Sequence, residues 1–241
     1  MINHISTAGV ITTKGNFMSK RMKAAKAKID KTQKYPIAEA IALLKEVSQV
    51  KFDPTIEIHV RLNIDPKKSD QQVRGAINLP NGSGKQRKIA AFVGPDKVKD
   101  AQGAGASLVG GEDLIAEIKK TGKTDFDVAV ATPDMMAKLA VIAKNLGQKG
   151  LMPNPKAGTI TTDIKKVVTD LTKGMINIKN DASGNVHAAV GKLSFTDDKL
   201  VSNVEYFMDE LKKMKGEGVK SNFIIAAYLT SSMGPSVPIA F

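Results

Sequence analysis

The chain has 241 residues, 42% of them apolar and 5% aromatic, with no cysteine and no tryptophan. That is enough apolar material for one large or two medium domains, and it rules out wholesale disorder. The absence of cysteine excludes disulfides, thiolate nucleophiles, Cys-ligated zinc and iron–sulfur clusters. The net charge of +12 and a pI of about 9.7 point to a polyanionic partner, nucleic acid ahead of an acidic membrane surface, and no apolar run approaches the ~18 residues that would span a bilayer.

Residues 1–17 lack arginine and a continuous apolar core, so they do not read as a secretory signal. The basic pattern begins at Met18, a simpler translation start, and the leader is expected to add nothing to the fold. Lys20, Arg21, Lys23, Lys26, Lys28, Lys31 and Lys34 then face a single acid, Asp30. This Ala-rich arm has helical propensity and reads either as a solvated helix or as a phosphate-contacting arm that supplies affinity without sequence choice. Pro36 to Gln49 predicts a helix with Ile37, Ile41, Leu44 and Val47 on one face. From Thr55 to Ile64 the chain alternates: Ile56, Ile58, Val60, Leu62 and Ile64 point one way, Glu57, His59, Arg61 and Asn63 the other. This is a half-exposed strand whose polar face is solvent surface or a binding face. Leu79 to Gly84 has the composition of a hinge.

Beyond that hinge, strands and helices alternate with short turns. Strands are expected at Arg87–Gly94, Ser107–Gly110 and Phe126–Thr132. Helices are expected at Asp96–Gly103, at Glu112–Thr121 with Leu114, Ile115 and Ile118 inward, and at Pro133–Leu146 with Met136, Leu139, Ala140 and Ala143 inward. A last helix is expected over Thr159–Lys173. This pattern predicts a small α/β domain around a mainly parallel sheet. Between its last two helices, Asn145–Thr159 carries three glycines, two prolines and two lysines but no catalytic acid, histidine or cysteine. Such a loop is bent, stiff and positively charged, suited to gripping a surface. After Gly174 strands are expected at Met175–Lys179, Val186–Val190 and Phe223–Thr230, the last apolar on both faces and therefore central. A long helix that Thr196-Asp-Asp can cap, running to about Lys215, carries Leu200, Val204, Phe207, Leu211 and Met214 as its buried stripe. The expected organisation is a split α+β domain of residues 18–82 plus 175–241, with residues 83–174 inserted as an α/β domain through two adjacent linkers.

Enzyme motifs fail on inspection. Gly82-Ser-Gly-Lys85 lacks the Ser/Thr that follows a phosphate-loop lysine, and Glu117 stands five residues before Gly122 where such a loop needs glycine. The Gly103–Gly111 run follows a helix, not a strand. His4, His59 and His187 are far apart in sequence, which argues against a His-rich metal site.

With those residues in view, the chain resembles the bacterial type of the large-subunit ribosomal protein L-one family. The resemblance covers residues 18–240. It rests on Ser19-Lys-Arg-Met-Lys-Ala-Ala-Lys26, Lys51-Phe-Asp-Pro-Thr-Ile-Glu-Ile-His59, Asn63-Ile-Asp-Pro-Lys-Lys-Ser-Asp-Gln-Gln-Val-Arg-Gly75, Gly150-Leu-Met-Pro-Asn-Pro-Lys-Ala-Gly158 and Ser231-Ser-Met-Gly-Pro-Ser236. It implies a split α+β domain formed by both chain ends with an inserted Rossmann-like α/β domain. It further implies a non-catalytic, cofactor-free cytoplasmic protein, monomeric off the ribosome. Its implied partners are large-subunit ribosomal RNA at the mobile stalk, transfer RNA leaving the exit site, and its own messenger RNA, whose translation it represses.

The resemblance also assigns RNA contact to particular positions: Lys51, Phe52, Thr55 and Glu57 in the N-terminal strand region, Asp181, His187 and Lys192 on the C-terminal face, and Ser232, Met233 and Gly234 at a family Thr-Met-Gly triad. Serine for threonine keeps the hydroxyl and loses a methyl. Hydroxyls of Ser232 and Thr55 suit ribose 2′-hydroxyls, Lys51 and Lys192 suit phosphates, and Met233 supplies a deformable apolar contact. Lys149 and Lys156 are a secondary RNA contact or part of a structural interdomain loop. There Gln148 stands where relatives usually carry proline, which loosens one backbone constraint.

Overall fold

A computed structural model describes residues 19–241 apart from 31, 86, 217, 220 and 221. The leader 1–17 and Lys31 of the basic arm fall outside the described residues. Helix α1 (Lys20–Ala27) starts at Ser19, whose hydroxyl accepts from the Met22 amide at 3.3 Å and so satisfies one of the free donors of the first turn. Helix α2 (Ile37–Val47) buries Ala40, Ile41, Leu44 and Val47, while Ile37 is only partly covered. Strand β1 (Thr55–Leu62) follows with Ile56, Ile58, Val60 and Leu62 buried in alternation. Strand β2 (Arg74–Asn78) is an element that local pattern does not announce: five residues with a glycine carry too little alternation.

The middle of the chain runs β3 (Ile89–Phe92), α3 (Val98–Gly103), β4 (Leu108–Gly110), α4 (Glu112–Thr121), β5 (Val128–Ala131), α5 (Pro133–Leu139), α6 (Ala143–Gln148) and α7 (Ile164–Lys173). The order β4-β3-β5 is parallel throughout. Alternate strand residues feed two cores. Ala90, Phe92, Ala129 and Ala131 meet residues of α4, α5 and α6 on one side. Ile89, Ala91, Val128 and Val130 meet Ala101 of α3 and Ile164, Val168 and Leu171 of α7 on the other. Helices on both faces are what buries a parallel sheet whose strands are apolar all round.

Two helices depart from expectation. The single helix expected over Pro133–Leu146 is interrupted by a 3₁₀ turn at Ala140–Ile142. The buried stripe is Met135, Leu139, Ile142 and Leu146, at the ordinary 4-3-4 helical spacing but one phase away from the expected one; Ala140 is exposed and Met136 and Ala143 are only half covered. The helix expected from Thr159 begins five residues late, at Ile164. Thr159 is tied back to Asn154 at 2.8 Å, Ile160 bridges to Ala131, and Asp163 caps the helix instead.

The last third supplies β6 (Met175–Lys179), β7 (Asn185–Lys192), α8 (Asp197–Lys213), β8 (Ile224–Ser231) and β9 (Ser236–Pro238). These return to the first third. β6 pairs with β2, and β7 and β8 flank β1 in an antiparallel sheet of order β7-β1-β8-β9. One core joins α2, β1 and β2 to β6, β7, α8 and β8, with Ile41, Leu44, Ile58, Phe207, Leu211 and Leu229 nearly or wholly inaccessible. α8 buries Leu200, Val204, Phe207 and Leu211 as expected, and Thr196 occupies its N-cap with Asp197 and Asp198 in the first turn. Thr196 makes no side-chain cap bond, and Asp197 receives Lys45 at 2.5 Å. β8 is internal to the ladder, yet only one of its faces is buried: Ile225 and Tyr228 stand 48% and 40% exposed. Among the described residues no layer of helices covers the outer face of this sheet.

The two crossings between first third, middle and last third touch at glycine. A side chain at Gly174 would bring its Cβ to 2.6 Å from Gly82 Cα and 2.7 Å from Ser83 N, and Gly174 has φ +115°. Replacing Gly174 with alanine therefore adds a backbone clash to left-handed strain and is expected to cost about 2–4 kcal/mol. Gly122→Ala is the control: φ is +66° but the space is open, so the cost falls to about 1–2 kcal/mol. Urea unfolding of both variants checks this, and equal losses would remove the crossing argument.

Candidate nucleic-acid interface

Register, not sequence proximity, assembles the site. Thr55 at the start of β1 stands opposite Lys192 at the end of β7, and Ile56 stands opposite Ser231 at the end of β8. The Ser232 amide donates to the Thr55 carbonyl at 2.9 Å, and the Ser232 hydroxyl lies 3.3 Å from the Thr55 amide and 3.4 Å from its carbonyl. The serine hydroxyl thus fastens the loop. On the other flank Asp53 accepts from the Ser194 amide at 3.1 Å and from its hydroxyl at 2.9 Å, and Lys192 donates to the Asp53 carbonyl at 3.4 Å. Lys51, Phe52, Thr55, Lys192, Ser232, Met233 and Gly234 therefore share one rim of the sheet.

Two of these side chains are exposed against their own hydrophobicity: Phe52 is 54% exposed and Met233 68%. Met233 also has φ +63°, a left-handed backbone that costs a non-glycine residue energy. The loop is held from several sides. Gly234 N donates to Ser231 O at 2.8 Å, a side chain at Gly234 would strike the Ser231 hydroxyl, and Arg21 donates its guanidinium to the Met233 carbonyl at 3.0 Å. At Arg21 the basic arm acts as a tether for the loop.

Farther along the same face His59 and His187 lie opposite each other with Nδ1 atoms 2.8 Å apart. Glu57 sits 3.7 Å from His59 Nε2 and Asp181 3.6 Å from His187 Nε2. Burial, and secondarily the neighbouring His187, lower the His59 pKa, while Glu57 opposes them. Asp181 is held down to about 2, chiefly by hydrogen bonds from the Asn185 amide and side chain and from the Ser183 amide. Its oxygens are spent on the turn between β6 and β7, which makes it a builder of the face more than a free acceptor.

A family model described as the ribosomal protein L1p/L10e family matches residues 44–235. The chain belongs to that family. Its relatives include the large ribosomal subunit protein uL1 of Mesoplasma florum, 49% identical over 92% of this chain and 97% of the relative. The uL1 proteins of Mycoplasma capricolum and Kosmotoga olearia are each 46% identical, over 93% and 92% of this chain and 99% and 95% of their own length. The family match takes in every rim position from Lys51 to Gly234 but begins inside α2, leaving the basic arm and its Arg21 tether outside.

Within the L1p/L10e chain the two secondary positions lie apart from the rim, among the elements of the parallel sheet. Lys149 follows α6 and donates to the Thr124 hydroxyl at 2.6 Å. Lys156 belongs to the short turn Pro155–Ala157, and its side chain lies outside what is described. The surrounding loop lines a polar cleft with Arg74, Asn177 and Lys179 of the β2–β6 ribbon. Arg61 and Tyr228 also stand on the open face, Arg61 where the alternation of β1 places it.

Proposed function

We propose that this chain is a structural, non-catalytic protein of the large ribosomal subunit, working in the cytoplasm, whose open sheet rim binds large-subunit ribosomal RNA. The observation that carries this is the convergence of exposed Phe52 and the strained, exposed Met233 with Thr55, Lys192 and Ser232 at one rim. Lysines meet phosphate, hydroxyls meet ribose, and two apolar side chains meet sugar or base faces. Release of deacylated transfer RNA from the exit site and repression of its own messenger extend the same reading, the latter through an RNA that copies the ribosomal shape. The split at residues 82 and 174 belongs to this proposal: the crossing glycines act as the joint between an RNA-binding unit and an inserted α/β unit.

Sedimentation tests the assignment. The endogenous protein is expected in the large-subunit peak of a sucrose gradient, and its absence there defeats the ribosomal reading. Filter binding to large-subunit ribosomal RNA over a salt series tests the rim. Lys192→Ala is expected to flatten the plot of log affinity against log salt by about 0.7–0.9, one phosphate contact, whereas Met233→Ala weakens binding without changing the slope. Lys28→Ala is expected to matter less than Met233→Ala, because Lys28 already pairs with Glu46 at 2.6 Å. Equal losses for the two would count against the rim.

A further inference from the structure

Deeper along the open sheet face lies a second feature that the rim does not use. The cross-strand row Tyr228–His59–His187 runs over β8, β1 and β7, and the next row on the same face is Ala226–Arg61–Asn185. Between the Arg61 and Leu62 pairings the register slips, leaving Ile225 opposite no β1 residue. The bulge turns Ile225 outward, to 48% exposure. Ala226 is thus a low floor, Tyr228 a wall on one side and Ile225 a wall on the other, with Arg61, Asn185 and His187 completing the lining.

Same-face neighbours on a strand stand about 7 Å apart, so the small Ala226 leaves space beside Tyr228 for one flat ring at van der Waals distance, about 3.5 Å, from the tyrosine. A tyrosine 40% exposed on a sheet face, in a chain with 5% aromatic residues, presents a π-surface to solvent. Among the described residues no carboxylate pairs with the Arg61 guanidinium, and no group bonds the Tyr228 hydroxyl. The nearby acids are committed: Asp181 to its turn, and Glu57 beside His59.

We propose that this dent is a nucleotide subsite in which one unpaired RNA base stacks on Tyr228 over Ala226, with Arg61 meeting the adjoining phosphate or the base face. This rests on the reading of the rim as an RNA interface and extends it from sugar and phosphate contact to capture of a splayed base. The occupant is RNA because the slot is flat-walled, carries an unpaired cation and adjoins the rim through the same three strands. A protein side chain would need no such cation.

The test uses the full chain and a large-subunit ribosomal RNA transcript of the same organism carrying 5-iodouridine. Irradiation is expected to attach RNA to the peptide containing Tyr228, and mass spectrometry locates the adduct. In filter binding Tyr228→Ala is expected to lose roughly fivefold to tenfold in affinity, and Tyr228→Phe to stay near wild type because stacking survives. Arg61→Ala is expected to lose affinity and to flatten the salt slope. Both positions are exposed, so folding is not at stake, and unchanged circular dichroism verifies that. Adducts confined to Phe52, with Tyr228→Ala binding normally while Met233→Ala fails, would overturn the subsite and leave the rim standing. Normal binding by Tyr228→Ala, Arg61→Ala and Met233→Ala together would overturn both.

Discussion

Asn203→Leu is expected to remove about 3–5 kcal/mol of unfolding free energy, although leucine has the same number and branching of side-chain heavy atoms as asparagine. Asn203 sits in the middle of α8 and is fully inaccessible. Its side chain donates to Gly82 O at 2.9 Å and Val190 O at 2.7 Å and accepts from Asn81 N at 3.1 Å. One residue thus satisfies two backbone groups of the first crossing and one of β7. Leucine would bury all three without partners, and each orphan costs about 1–3 kcal/mol, partly relieved by relaxation. Against a typical total of about 5–15 kcal/mol, this is a large fraction. Urea denaturation followed by circular dichroism measures it. A loss under about 1 kcal/mol would show that water or backbone movement replaces the asparagine, and that the crossing is not held from α8.

Met233→Gly is expected to move stability and RNA affinity in opposite directions. The left-handed backbone at φ +63° suits glycine, so the variant relieves strain and gains about 0.5–1 kcal/mol in unfolding free energy. The same change deletes a side chain that is 68% exposed and makes no use of its hydrophobicity in the free protein. Loss of a central apolar contact is expected to weaken binding to large-subunit ribosomal RNA roughly tenfold. A thermal melt and a filter-binding curve on one preparation test both halves. If stability and affinity both fall, Met233 is a packing residue. If affinity is unchanged, the strain at the rim has another cause.

Much of this protein is legible from residue order because its strongest elements carry one clear period each. β1 shows strict alternation, α4 is bounded by Gly111 and the left-handed Gly122, and the stripe of α8 recurs at helical spacing. Local pattern fails where a neighbour makes the decision. β2 exists because β6 pairs with it, the α5–α6 segment presents Met135, Leu139, Ile142 and Leu146 because that side meets Phe92, Ala129 and Ala131, and Ile160 leaves a helical stretch to bridge Ala131. The family resemblance named the rim residues. The internal duty of Asp181 is a local turn bond to Ser183 and Asn185, whereas that of Ser232, the Arg21 tether and the dent beside Tyr228 depend on segments more than a hundred residues apart.

By itself the order of residues determined the basic charge, the exclusion of cysteine chemistry, the alternation of β1, the α/β rhythm of the middle and the family. Tertiary structure alone decided which polar groups meet: that Thr55 finds Lys192 and Ser232, that His59 finds His187, that Asn203 reaches the crossing, and that β8 keeps one face open. The physical reason is range. Hydrophobic period and turn chemistry act over a few residues and are written locally, whereas a hydrogen bond or a shared sheet face exists only after distant segments have been brought into register.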